Sequence, residues 1–326
     1  MTAISLAGKS YSHAPRWHRR LRAASIAIAA LLLVSFAACG PQRQVERTVV
    51  TALRESSQPG AFNTPGLVEA SGVVRSEMNA GVFWSQNDSG NDALLFAYDS
   101  TGASLGITRV TDASNRDWEA IALGPCASGS CLYIGDVGDN GARQPSVTIW
   151  RVAEPAPGDS GTAPAVALRF RYPDGSRDVE SIWVSPDTSI WLLTKRPMMA
   201  PNGVSRPVQL YRLPASVWSS SDRQVAALVD SLPIVPLASN DRTWVTDASI
   251  SSADSTGSRR LAVLSYERVF IFAVDGTSGR PGSLLGTCDL APLRMRQGEG
   301  LVWLADGRLL FSTEGRRAPL HAGRCP

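Results

Sequence analysis

Beyond residue 38 the chain has a single histidine, His321, and a single lysine, Lys195. One histidine leaves too few nitrogen ligands for a His-based zinc centre. A Ser-His-Asp hydrolase would have to use His321, and no G-x-S-x-G turn is present to carry its nucleophile. There is no phosphate-cradling P-loop, and GDVGDNG at 135–141 lacks the spacing of a dinucleotide fingerprint. The net charge of +3 owes much to arginines near the start, and no basic stripe interleaved with aromatics suggests a nucleic-acid surface. Long apolar runs are missing too, apart from Ala23 to Ala38. What remains for catalysis is carboxylate or metal-assisted chemistry.

That apolar run follows a basic cluster of Arg16, His18, Arg19, Arg20 and Arg22. The order of charge and then a short apolar stretch is that of a signal peptide, and the stretch is short for a membrane span. It ends in Phe36-Ala37-Ala38-Cys39-Gly40, which resembles the lipobox of bacterial lipoproteins, although Phe36 stands where Leu is usual. The expected organisation is a signal peptide over 1–38, a lipidated polar tether over 39–47 beginning at Cys39, and one folded domain over 48–326. Diacylation of Cys39, with palmitate among the chains, would supply the two buried chains that stable anchoring needs. The alternative is a cleaved signal peptide with a chance Cys. The expected location is the extracytoplasmic face of the membrane.

Setting Cys39 aside leaves Cys126, Cys131, Cys288 and Cys325. An even remainder in an oxidising compartment suggests two disulfides, Cys126–Cys131 around a hairpin tip and Cys288–Cys325 near the chain end; free buried thiols are the alternative. Chain entropy gives about 2 kcal/mol for the small ring and about 4 kcal/mol for the larger.

Gly, Pro, Ser and Asp punctuate the chain at short intervals, which leaves little room for long helices. A unit recurs: a small or acidic start, an apolar strand, a turn, then further apolar strands. Its starts are Ser71, Glu119, Glu180, Ala248 and Glu299. Outer strands follow at 104–110, 166–172 and 283–290. The spacing suits propeller blades of about 40–50 residues with some long loops. The reading is an all-β propeller of five blades. A sixth blade over 214–245, a β-sandwich or two β domains are the alternatives. The last unit lacks an outer strand, and the β-rich stretch 45–53 is expected to pair with it and close the ring.

In a propeller the starts of the inner strands face a central channel. Glu119, Glu180 and Glu299 would then converge, and two charges about 8 Å apart repel by about 2 kcal/mol at an effective dielectric of 20. Lys195 and Arg196 are candidate internal partners, and a hard cation is another. Second strands end in Asn87-Asp88, Asp136, Lys195-Arg196, Glu267 and Glu314. The candidate channel-mouth set is Glu119, Glu180, Glu299, Asp136, Lys195, Arg196 and Glu314. The candidate metal set is Glu119, Glu180, Glu299 and Asp136, with calcium as the candidate ion. Asp136, Asp139 and Asn140 lie in a loop with the composition of a calcium loop, yet Val147 stands where its last Glu is needed; local Asx turns account equally for these residues and for 87–91. Trp118 either covers a ligand or packs between blades. Trp84, Trp150, Trp183, Trp191 and Trp303 read as core.

The segments NDSGN, RDWEAIAL, LYIGDVGDN, RYPDGSRDVESIWV, WLLTKR and QGEGL resemble a family of secreted, mainly actinobacterial propeller lipoproteins of WD-repeat-like type, over about residues 69–316. A more distant resemblance reaches esterase-like phytases and calcium-dependent lactonase propellers. The nearer resemblance implies a propeller without an established reaction. The expected function is a monomeric, membrane-anchored binding module whose acidic mouth takes a small molecule, a glycan or an envelope protein. A calcium-assisted hydrolase of an ester, lactone or phosphoester and a structural envelope scaffold are the rivals.

Overall fold

A computed structural model describes residues 49–326. The expected signal peptide over 1–38, Cys39 and the expected tether over 39–47 lie outside the described residues. Among the described residues no helix is long and apolar enough to cross a membrane.

Five antiparallel blades account for nearly all of the strands. Blade one comprises Val74–Arg75, Phe83–Gln86, Leu94–Tyr98 and Ser104–Arg109. Blade two comprises Trp118–Pro125, Ser130–Asp136, Val147–Ala153 and Val166–Arg171. Blade three comprises Val179–Val184, Ile190–Thr194, Gln209–Leu213 and Ala227–Ser231. Blade four comprises Val245–Ile250, Arg259–Ser265, Arg268–Val274 and Pro281–Asp289. Blade five comprises Gly298–Trp303, Leu309–Thr313 and Pro319–Arg324. Each inner strand packs beside those of both neighbouring blades, and the first also meets the last, so the ring is closed.

No sixth blade lies in 214–245. That stretch supplies the outer strand of blade three and a short strand, Gln224–Val225, on the edge of blade two. The N-terminal segment differs in register from the expectation. Val50–Ala52 runs parallel to the outer strand of blade four, and the following residues, Arg54–Ala61, form the outermost strand of blade five. The second of these strands reads RESSQPGA and is mostly exposed. An outer edge strand buries neither face, so no alternation marks it in sequence.

The pleat explains the cores. Alternate residues of each blade face the blade before and the blade after, and each of the five junctions holds its own apolar cluster. Trp84, Trp183 and Trp191 are fully buried at these junctions, and Trp183 stacks on Trp191 with ring centroids 6.1 Å apart. Trp118 is also fully buried, its Nε1 donating to the Ser114 carbonyl at 3.0 Å, which leaves no face for a ligand. Disulfides join Cys126 to Cys131 and Cys288 to Cys325. The second ties the outer strand of blade four to the end of blade five, where the N-terminal strands also run.

Candidate functional site at the acidic mouth of the channel

Four inner strands carry a β-bulge at the same place, and each bulge leaves one residue unpaired. The register slips between Trp118 and Ala120, Val179 and Ser181, Val245 and Asp247, and Gly298 and Gly300. The unpaired residues are therefore Glu119, Glu180, Thr246 and Glu299. In blade one, Ala70 pairs with Asn87 and Val74 with Trp84, which places Ser71 in the same role. A bulge re-aims the extra side chain out of the pleat. The five-fold layer is thus Ser71, Glu119, Glu180, Thr246 and Glu299. Ala248, taken as the blade-four start from sequence, lies two residues further along and is buried in the junction core with blade three.

The same register fixes a second layer, the residue that follows the pairing partner of the position before each bulge: Asp88, Val137, Lys195, Tyr266 and Glu314. These two layers together form the mouth. Lys195 Nζ donates to Glu180 Oε1, with both residues buried. Tyr266 donates its hydroxyl to Glu299 Oε1 at 2.5 Å. Ser71 donates to Glu119 Oε2 at 3.2 Å. Thr246 donates across to the Gly298 carbonyl at 2.7 Å, holding blade four against blade five.

Burial dominates the electrostatics. Glu119 is pushed well above the usual carboxylate range by burial, then by Asp88, Asp117 and Glu299, against the opposing pull of Lys195. Burial and then Glu119 raise Glu180 likewise, with Lys195 opposing. Burial pushes Glu299 up to about 7, opposed by Lys195 and Tyr266. Asp117 rises to about 6 through burial and the charges of Asp88 and Asp178. Burial would lower the Lys195 pKa, but Glu180, Glu299, Tyr266 and Glu119 together raise it above the ordinary lysine value. These mutual influences show that Glu119, Glu180, Glu299 and Lys195 share one small space.

Asp88, Asp117 and Glu119 each present a carboxylate oxygen within 4.8 Å of the others'. This grouping draws on the end of a second strand, the lead into an inner strand and a bulge. Gly138 makes room for it: a Cβ there would lie 2.6 Å from the Asp117 carboxylate and 2.6 Å from Glu119 Cγ. The glycine of GDVGDNG thus forms a wall of the mouth. Within that loop Asp139 accepts from the backbone of Arg143 and Gln144 at 2.8 and 2.7 Å, which is turn chemistry. Asn140 accepts from Arg196.

The other candidates are held by neighbours. Asp136 accepts from the Asp117 backbone at 2.9 Å and lies 3.6 Å from Arg116. Arg196 pairs with Asp178 at 2.5 Å and stacks over Trp244, its guanidinium 4.6 Å from the ring centroid. Glu314 is half-buried and raised by burial and by Asp88. Glu267 lies beside Arg268 at 3.6 Å. Of the four residues of the candidate metal set, Glu119 alone belongs to the close carboxylate group, which Asp88 and Asp117 complete.

Asp247, which sequence reading passed over, is buried just past the blade-four bulge. It accepts from the backbones of Ala248 and Leu301, both at 2.7 Å. It thus satisfies a backbone donor on the inner strand of blade five. His321 lies on the third strand of blade five, buried, with its pKa lowered by burial.

No family model matches the chain, and no curated protein is similar to it in sequence. Solved structures of similar architecture include a glucose dehydrogenase, at 12% identity over 82% of this chain and 99% of that one, TM-score 0.46. A GH43_1 enzyme from Xanthomonas citri, complexed with xylotriose, is 12% identical over 83% of this chain and 90% of its own, TM-score 0.46. A gluconolactonase from Xanthomonas campestris is 14% identical over 86% and 99%, TM-score 0.41. A likeness of this degree says nothing about chemistry.

Proposed function

We propose that this protein is an extracytoplasmic binding module, lipid-anchored through Cys39, that takes its ligand at the acidic mouth through positive charge. One observation carries the reading. Asp88, Asp117 and Glu119 converge, and among the described residues no Lys or Arg nitrogen lies within ion-pair distance of any of them. Beside them, Glu180 Oε2 is buried without a hydrogen-bond partner, and Glu119 is the neighbouring charge that raises Glu180 most. Buried carboxylates left uncompensated are costly, and a bound cation offsets that cost. Oxygen-only donors suit a hard cation such as Ca²⁺, so the mouth would hold either the cation alone or an anionic or hydroxyl-bearing ligand bridged by it.

A second reading, metal-assisted hydrolysis of an ester, lactone or phosphoester, draws support from the same group and from Glu299. A hard cation bound there would polarise a carbonyl or phosphoryl oxygen. Glu299, near 7 and hydrogen-bonded by Tyr266, is poised to accept or return a proton near neutral pH.

Thermal melting with millimolar CaCl₂ against EDTA tests the first reading. Saturation at 100 times Kd adds about 2.7 kcal/mol of stability, and Asp88→Asn with Asp117→Asn removes the gain. No gain in the wild type overturns the cation site. Chelator-sensitive turnover of ester, lactone or phosphoester substrates would move the conclusion to the second reading.

A further inference from the structure

The five inner strands converge again at their other ends, around a cavity of about 300 Å³ that touches none of the acidic-mouth residues. This volume is at the small end of ligand cavities, which run to about 1,000 Å³. Its wall combines apolar side chains, Ile121, Ile182 and Trp303 among them, with a larger exposed share of polar atoms, and two guanidiniums belong to it, Arg75 and Arg259. Among the described residues Arg75 makes no side-chain hydrogen bond and no ion pair, and Arg259 only donates to the Ser251 carbonyl at 2.8 Å. Glu77 stands in the same wall, exposed and without an ion pair among the described residues. Two arginines against one carboxylate leave one positive charge over.

We infer that this lower cavity is a second binding site, for a small amphipathic monocarboxylate: an apolar body against Ile121, Ile182 and Trp303, and a carboxylate shared by Arg75 and Arg259. Guanidinium is the side chain best shaped to take a carboxylate through two parallel N–H donors. Apolar side chains together with a few convergent polar groups are what a small-molecule site combines. A single surplus charge favours a monoanion over a phosphate ester. The site is independent of the acidic mouth, which selects the opposite charge.

Calorimetric titration of the purified full-length protein with octanoate, octanol and octylamine tests this. Octanoate binds at one site, while octanol and octylamine bind at least tenfold more weakly. Arg75→Gln with Arg259→Gln weakens octanoate at least tenfold; both arginines are only half-buried and outside any ion pair, and a melt at the wild-type temperature shows that the variant is folded. Ser249→Phe, which adds a ring from a half-buried position of the wall, also abolishes binding. Asp88→Asn with Asp117→Asn leaves octanoate affinity unchanged, so loss of the upper site does not touch this one. Absence of octanoate binding, equal binding of all three probes, or full affinity in the double arginine variant overturns the proposal.

Discussion

The same five strands build both ends of the channel, yet the ends are chemically opposite. At their starts, bulges put Glu119, Glu180 and Glu299 toward the axis, with Lys195 as the ammonium among them. At their far ends the pleat is regular, and the wall combines apolar side chains, exposed polar atoms and two arginines. A bulge is therefore the device that separates the ends. It breaks alternation once per blade and spends that break on a polar residue. Where the alternation is intact, no buried acid among the described residues lines the cavity.

The largest test of this contrast removes the ammonium. Lys195→Met leaves Glu180 and Glu299 buried without their positive partner. Breaking a buried pair from one side costs about 3–5 kcal/mol, and a urea or thermal melt at pH 8 should show a loss of that size. The double variant Lys195→Met with Glu180→Gln should recover most of it. The far end of the channel holds no titrating partner of Lys195, so its ligand affinity should not move.

Next in size is the response to pH. Glu299 rises from the ordinary glutamate value to about 7 on folding, and Glu119, Glu180 and Asp247 are raised too. Raised carboxyls bind protons more tightly in the folded state. Their contribution to stability is complete below the unfolded value near 4.5 and is lost as pH climbs through the folded one. The cation-free protein should therefore be more stable at pH 5 than at pH 8, by on the order of 3 kcal/mol from Glu299 alone. Millimolar Ca²⁺ should flatten the curve by favouring the ionised carboxylates. A flat curve in EDTA would show that the mouth is hydrated and its charges screened.

A smaller effect belongs to the apolar end. The Cys126–Cys131 bridge closes the turn after Pro125, which lines the lower cavity. Replacing both by Ser should cost about 2 kcal/mol, measured by chemical melts under oxidising conditions. It should loosen the octanoate site and leave the Ca²⁺ gain intact. If the Ca²⁺ gain fell instead, the two ends would be coupled.

Much of this was legible in the sequence, for physical reasons that differ by region. Inner and second strands are buried on both faces and show as apolar runs, so the blades can be counted. Glu119, Glu180 and Glu299 interrupt those runs at matching places, which marks them as equivalent positions in the sequence alone. The blade-four start lies two residues before Ala248, because Thr246 is neither acidic nor an obvious break; Trp244-Val245-Thr246 is the counterpart of Asp117-Trp118-Glu119. Asp88 and Asp117 lie in turn-like segments, where Asx chemistry explains an acid equally well. Only the closed ring brings them to Glu119. Likewise the strand Arg54–Ala61 has no buried face and contains Pro59 and Gly60, both poor strand residues, so nothing in its sequence separates it from a loop.

The finest test changes one hydrogen bond. Tyr266 donates to Glu299 and favours its ionised form. Tyr266→Phe removes that donor and leaves the ring under Lys195, whose Nζ lies 5.8 Å from its centroid. Glu299 should then titrate above 7, and the pH range over which stability declines should extend upward. At pH 8 the loss should be about 1.5–3 kcal/mol, as for a hydrogen bond to a charged group. Near pH 4.5, where Glu299 is protonated in the folded protein with or without the Tyr266 hydroxyl, the loss should shrink to that of an ordinary bond. A variant equally destabilised at both values would mean that the Tyr266 hydroxyl serves packing alone, and that the charge on Glu299 is controlled by Lys195.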